Sequence, residues 1–110
     1  MTYALPVPPS TNRFWRIWGG RVVLSSEARF YKKKIAALLH AKAKPLKGRV
    51  RLTIAWYREH KAGDLSNRIK CVEDSLQGIL YNNDSQVVEI HAYRFDDKAN
   101  PRIEVSVTDA

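Results

Sequence analysis

The sequence predicts a single α+β domain in which two helices pack on a mixed β-sheet, in the order ββαβαββ. Three observations predict it. Apolar and polar residues alternate over 50–57, with further strands expected over 87–95 and 102–107; helical apolar periods occupy 25–43 and 65–80; and 110 residues suffice for one core. At that length folding buries somewhat under ~70% of the unfolded surface, so residues 1–110 read as one domain that needs no staples. There is no internal repeat and no linker long enough to divide it.

Taken in order, residues 3–5 form a short edge strand that Pro6, Pro8 and Pro9 stop, because proline lacks the N–H of a central ladder. The segment STNRFWRIWGGRVVL is an irregular loop that turns at Gly19 and Gly20 into a short strand ending at Leu24. Ser25 offers an N-cap and Glu27 a first-turn acid for a helix running to about Ala43, with Ala28, Tyr31, Ile35, Leu38 and Leu39 in one apolar stripe. Pro45 and Gly48 close it. Val50, Leu52, Ile54 and Trp56 then alternate with Arg51, Thr53, Ala55 and Tyr57, the pattern of a strand. A second helix from about Leu65 to Leu80 leads through YNNDS to a strand over 87–95, and the last strand follows the loop DDKANP. Strand, crossover helix and strand imply a right-handed parallel pair with antiparallel partners at its flanks.

Nineteen Lys and Arg against eleven Asp and Glu give a net charge of +8, which suits a polyanionic partner such as nucleic acid or an anionic membrane surface. A solvated positive face would give the same balance. The single cysteine, Cys71, cannot form an internal disulfide, and no apolar run approaches the ~18 residues of a membrane span. The segment MTYALPVPPS lacks the basic-then-apolar plan of a secretory signal. The expectation is a reduced, cytoplasmic protein with no membrane association.

At 100° per residue, Leu65, Ile69, Val72, Leu76, Ile79 and Leu80 share an arc of about 100°, and Ser66, Asn67, Lys70, Glu73, Asp74 and Gln77 lie opposite. An ordinary amphipathic helix looks much the same, and Lys70 with Asp74 is an ordinary (i, i+4) pair. Asp64 at the helix start and Asp84 in the following loop serve either as cap and turn residues or as metal ligands. The helix alone does not choose.

The chain as a whole resembles the RusA family of Holliday junction resolvases along nearly its full length. The likeness lies in PPSTNRFWR, in GRVVLSSEARFYKKKI, and above all in DLSNRIKCVEDSL followed by NDSQVVE. In that family the helix start usually reads D-x-D-N-x-x-K-x-x-x-D and the later loop D-D-x-Q-V. Asp64, Asn67, Lys70 and Asp74 match the first motif; Asp84, Gln86 and Val87 match the second. The resemblance implies a homodimer of phage or bacterial origin that binds four-way junction DNA and nicks two strands symmetrically, in recombination and repair. It implies Mg²⁺, with Mn²⁺ as an alternative. It makes Asp64 and Asp84 the catalytic ligands and Lys70 a catalytic cation beside the phosphate, supported by Asn67 and Asp74. Mg²⁺ accepts one or two carboxylates together with waters and a DNA phosphate, so the residues are compatible with that role.

Two positions depart from the family pattern. Ser66 stands where the second aspartate of the first motif is usual, and Asn83 where the later doublet begins. Ser66 is left to ligate weakly, through its hydroxyl or a water, or to serve the helix start. The alternative function is therefore a catalytically impaired junction-binding protein on the same fold.

For the DNA grip, Arg13, Arg16 and Arg21, interleaved with Phe14, Trp15 and Trp18, pair phosphate-binding cations with rings able to stack on exposed bases. The competing reading makes the rings core or dimer contacts, Phe14 above all. Arg58, His60, Lys61 and Arg68 extend the basic surface beside Asp64. His40, His60 and His91 show no zinc-type spacing with one another or with Cys71.

Overall fold

A computed structural model describes residues 1–61 and 63–110. In chain order the elements are β1 (Thr2–Leu5), α1 (Thr11–Phe14), β2 (Trp15–Trp18), β3 (Arg21–Leu24), α2 (Ser26–Leu39), β4 (Val50–Arg58), α3 (Ser66–Leu76), β5 (Val87–Asp96) and β6 (Arg102–Asp109), with a 3₁₀ turn at Asp84–Gln86 before β5. The main sheet has the order β1-β6-β4-β5. Its β4–β5 pair is parallel and its β1–β6 and β4–β6 pairs antiparallel. The α+β class and the mixed sheet are as the sequence implies.

The first departure lies between residues 10 and 24. Instead of an irregular loop and one strand, the chain makes the single turn of α1 and then a separate hairpin, with Trp15 opposite Leu24 and Trp18 opposite Arg21. Its turn places Gly19 and Gly20 at φ of 59° and 76°. Two successive positive φ values match the right-handed twist of paired strands, and glycine adopts them without strain. The Gly-Gly pair between WRIW and RVVL is the hairpin signal.

Helix α2 begins as expected, with Ser25 Oγ accepting a bond from the Ala28 N–H at 3.1 Å. It ends at Leu39 rather than Ala43, because the Lys42 and Ala43 amides both turn back to the Leu39 carbonyl. Leu38 is consequently 42% exposed and leaves the expected stripe. Helix α3 ends at Leu76 rather than Leu80, where Gln77 becomes extended and Gly78 takes a φ of 86°. Leu80 is buried all the same, through a turn closed by Gly78 N–H donating to the Tyr81 carbonyl at 2.6 Å.

Alternation along the strands decides where the core sits. Val50, Leu52, Ile54 and Trp56 of β4, Ile103 and Val105 of β6 and Leu5 of β1 pack against Tyr31, Ile35 and Leu39 of α2 and Val72 and Leu76 of α3. Both helices therefore cover the same face of the sheet, and the other face is open. A smaller cluster joins Phe14, Ala28 and Cys71, flanked by Trp15 and Leu24. Its Cys71 thiol is pushed up to about 11 by burial, which leaves it protonated and unreactive.

Candidate active site

The two motifs meet at Lys70. Its Nζ lies 3.2 Å from Asp74 Oδ1 on the same helix, 3.6 Å from Asp84 Oδ2 in the following loop and 3.7 Å from Glu73 Oε1. Three carboxylates thus converge on one ammonium in a chain that is otherwise strongly basic. Partial burial lowers the Lys70 pKa, but the hydrogen bond to Asp74 and the charges of Asp74, Glu73 and Asp84 outweigh it and raise the pKa overall. Glu73 moves up as well, through burial and the neighbouring Asp84 and Asp74 charges, against the pull of Lys70. Glu73 and Asp74 share a helix face with Lys70, and the loop that follows α3 folds back to add Asp84.

That loop is held by two side chains. Tyr81 is fully buried, and its hydroxyl donates to the Glu73 carbonyl at 2.5 Å, tying the loop's start to α3. Gln86 supplies the rest. Its Oε1 accepts from the Asn82 and Asn83 amides at 2.8 and 2.9 Å, and its Nε2 donates to the Leu46 and Gly48 carbonyls at 2.9 and 2.7 Å. This explains a glutamine two residues after Asp84. Asn83 Oδ1 accepts from the Ser85 N–H at 2.9 Å. Asparagine fills that capping role as well as aspartate does, so the departure at position 83 takes no acid away from Lys70.

Asp64 does not cap α3. The helix is preceded by Leu65 with no side-chain cap, and Asp64 contributes only its backbone carbonyl, which accepts from the Asn67 N–H at 3.1 Å. Its exposed carboxylate makes no ion pair or side-chain hydrogen bond among the described residues. Asn67 binds elsewhere, its Oδ1 accepting from Thr11 Oγ1 at 3.1 Å, so it joins the start of α3 to α1 and the hairpin beyond. Ser66 is exposed on the first turn.

Among the described residues no three His, Cys, Asp or Glu side chains form a ready-made metal cage, and no contact joins Asp64 to Asp84. The candidate donors, the Asp64 and Asp84 carboxylates and the Ser66 hydroxyl, are all hard oxygens, and Asp84 already faces the Lys70 ammonium. That set fits an ion such as Mg²⁺, which keeps most of its waters and takes its remaining oxygens from substrate.

The hairpin separates its residues by face. Trp15 and Leu24 turn toward the smaller core, with Ile17 and Val22 beyond them, whereas Arg16, Trp18, Arg21 and Val23 share the other side. Arg16 and Arg21 are exposed, and Trp18 at the turn is 64% exposed. Arg13 is exposed and joined to Glu27 at 2.7 Å, a pair in solvent that a phosphate can compete with. Phe14 has no exposed surface and packs edge-on against Trp15 with ring centroids 4.6 Å apart. It is a core residue, and the expectation that it stacks on DNA is withdrawn. Trp18, exposed beside Arg16 and Arg21, is the ring of the hairpin most open to solvent. Lys61 is exposed, and Arg68 is half-buried against the Trp56 ring.

The family described as Endodeoxyribonuclease RusA matches residues 6–108 of this sequence. The chain belongs to the RusA family. The crossover junction endodeoxyribonuclease of Enterobacteria phage 82 is 28% identical over 112 residues, covering 96% of this chain and 91% of that protein. The RusA protein of Escherichia coli strain K12 has the same identity and coverage, and that of Enterobacteria phage HK97 is 27% identical, covering 97% of this chain and 92% of its own. The matched span contains both motifs, the hairpin, β4, β5 and all of β6 but its last residue. Among the described residues no helix is long and apolar enough to cross a membrane.

Proposed function

We propose that this chain is a Mg²⁺-dependent endodeoxyribonuclease that binds four-way DNA junctions as a homodimer and resolves them by paired nicks. The observation that carries the reading is the meeting of both family motifs at Lys70, where the Asn82–Gln86 loop delivers Asp84 to α3. Asp64 and Asp84 would hold the ion, with Ser66 a weak or water-mediated ligand. An ion held by them would supply polarisation of the scissile phosphate and a lowered pKa for the attacking water. Lys70, held by three carboxylates, keeps a positive charge where negative charge builds on the phosphoryl oxygens. Arg16, Trp18 and Arg21 grip backbone and unstacked bases from the hairpin. The test is cleavage of end-labelled four-way junction against linear duplex, with and without Mg²⁺. Paired nicks confined to the junction and to Mg²⁺ are expected; duplex cut equally well, or cleavage in chelator, would sink the reading.

The serine at position 66 favours one rival, a junction-binding protein with an impaired site. Ser66→Asp separates the two. A carboxylate attracts a divalent ion better than a hydroxyl, so this variant should cleave faster at low Mg²⁺ and melt higher as Mg²⁺ is added. The first turn tolerates the charge, which the helix dipole favours by about 0.3–1 kcal/mol. If melt and rate are unchanged at every Mg²⁺ level, position 66 lies outside the metal shell.

Strand β5 supports the dimer. It is a ten-residue sheet edge with Val88 and Ile90 exposed on the side of the helices and Tyr93 and Phe95 exposed on the open face. The opposite edge, β1, has four residues and runs into prolines. A long apolar edge without such protection is a surface for another strand. Arg51 beside it is paired to Glu89 and Arg102 to Asp97 and Glu104, whereas Arg94, on the strand itself, is exposed with no ion pair among the described residues. Ile90→Lys should give a folded monomer by light scattering; a persistent dimer would place the interface elsewhere.

A further inference from the structure

On the far flank of α3 from Lys70 lies a cleft of about 520 Å³, lined by Val7, Trp56, Arg58, His60, Gly63 and Arg68 among others. Arg68 precedes Lys70 by two residues, about 200° around the helix, so the two cations address different spaces. Arg68 stacks over the Trp56 ring with its guanidinium carbon 5.0 Å from the centroid. Gly63 closes against the same ring, where a Cβ would come within 3.0 Å of the indole. Behind this wall, with almost no accessible surface of their own, three N–H groups have no acceptor among the described residues: Trp56 Nε1, Arg68 Nε and Arg68 Nη1.

Buried donors without acceptors are rare and carry a standing cost, so three in one wall call for an explanation. All three are donors, and the surroundings lean positive. Arg58 is engaged with Asp96 and donates weakly to the Gly63 carbonyl at 3.4 Å; His60 faces Glu59, the one acid in the lining, at 3.8 Å. A group that meets these donors must be an acceptor, and the positive surroundings favour an anion.

We propose that the Trp56–Arg68 cleft is an oxyanion site that takes a phosphate group, with Arg68 as its principal ligand. A planar guanidinium carries five N–H donors that phosphate oxygens can accept from, and stacking on Trp56 fixes its plane in advance. The phosphate belongs either to a DNA strand or to a free ion. Only the first of these rests on the function proposed above.

The test compares the parent chain with Arg68→Met, which keeps an aliphatic stem on Trp56 and removes the donors. In chloride the variant should melt no lower than the parent, because the lost N–H groups had no partner. In inorganic phosphate at matched ionic strength and about ten times its dissociation constant, the parent should melt higher by roughly 5 °C and Arg68→Met should not shift. Lys33→Met, on the exposed side of α2, should keep the parent's shift. Binding of duplex DNA against salt then identifies the donor of the phosphate. A log–log slope shallower by about one in Arg68→Met assigns a backbone phosphate, and an unchanged slope with the melting shift lost assigns free phosphate. The proposal is overturned if Arg68→Met alters neither quantity, if it melts well below the parent in chloride, or if Lys33→Met loses the shift as well. Should the chain bind no DNA, the nuclease reading fails while the phosphate melts still decide the cleft.

Discussion

Asp84→Asn is expected to lower Mg²⁺-dependent junction cleavage by more than about 100-fold while leaving the fold in place. The two effects separate because of what Asp84 touches. Its carboxylate meets only the Lys70 ammonium, at 3.6 Å, in a pair that is about half exposed on both sides. Exposed pairs contribute about 0–1 kcal/mol, so the melting temperature should move by a few degrees at most. The loop geometry does not depend on the charge, since Tyr81, Asn83 and Gln86 hold it through neutral hydrogen bonds. Asp64→Asn should behave alike, for a plainer reason: its carboxylate caps nothing, so a structural role has nothing to lose. Steady-state cleavage and thermal melts on both variants check this. Undiminished cleavage in either would exclude that residue as a necessary ligand.

How far the sequence carries can be judged at particular residues. Strand β4 was legible to the residue scale because Val50 to Trp56 alternate without interruption. So was the Ser25 cap of α2, because capping is local chemistry. The helix ends were misjudged by about four residues each: apolar spacing continues through Ile79 and Leu80, yet Gly78 changes the backbone before they are reached. The angular reading of α3 also missed Cys71 and Ser75, both buried, since it assumed one partner and α3 has two, the sheet on one side and the Phe14 cluster on the other. The site was half legible. Lys70, Glu73 and Asp74 share a helix face that the sequence displays, whereas the approach of Asp84 to Lys70 and the clasp of Gln86 on Leu46 and Gly48 depend on a loop path that no local rule supplies.

Phe14→Ala is expected to cost about 3–5 kcal/mol, the usual range for emptying a buried aromatic site, out of a total stability of about 5–15 kcal/mol for a domain. A fall in melting temperature of about 15 °C should follow. The side chain fills the space between Ala28 on α2 and Cys71 on α3, and Trp15 and Leu24 lean on it from the base of the hairpin. The Ser25 amide donates to the Phe14 carbonyl at 2.9 Å across that base, so both the packing and the closure of β2 and β3 are rooted at one residue. An isolated two-stranded hairpin is marginal in water. Loosening its root should therefore weaken DNA binding even at temperatures where the rest of the chain stays folded, and should open the Cys71 thiol to a disulfide reagent that the parent resists. Trp18→Ala gives the contrasting result. Its ring is largely in solvent, so stability should hold within about 0.5 kcal/mol, while affinity for junction DNA falls by the roughly 1–3 kcal/mol that a base stacked on an aromatic contributes. Melting, thiol accessibility and fluorescence anisotropy on the two variants separate support from contact. If Phe14→Ala loses stability but binds as tightly as the parent below its melting temperature, the hairpin is not the grip, and the DNA surface must be sought elsewhere on the chain.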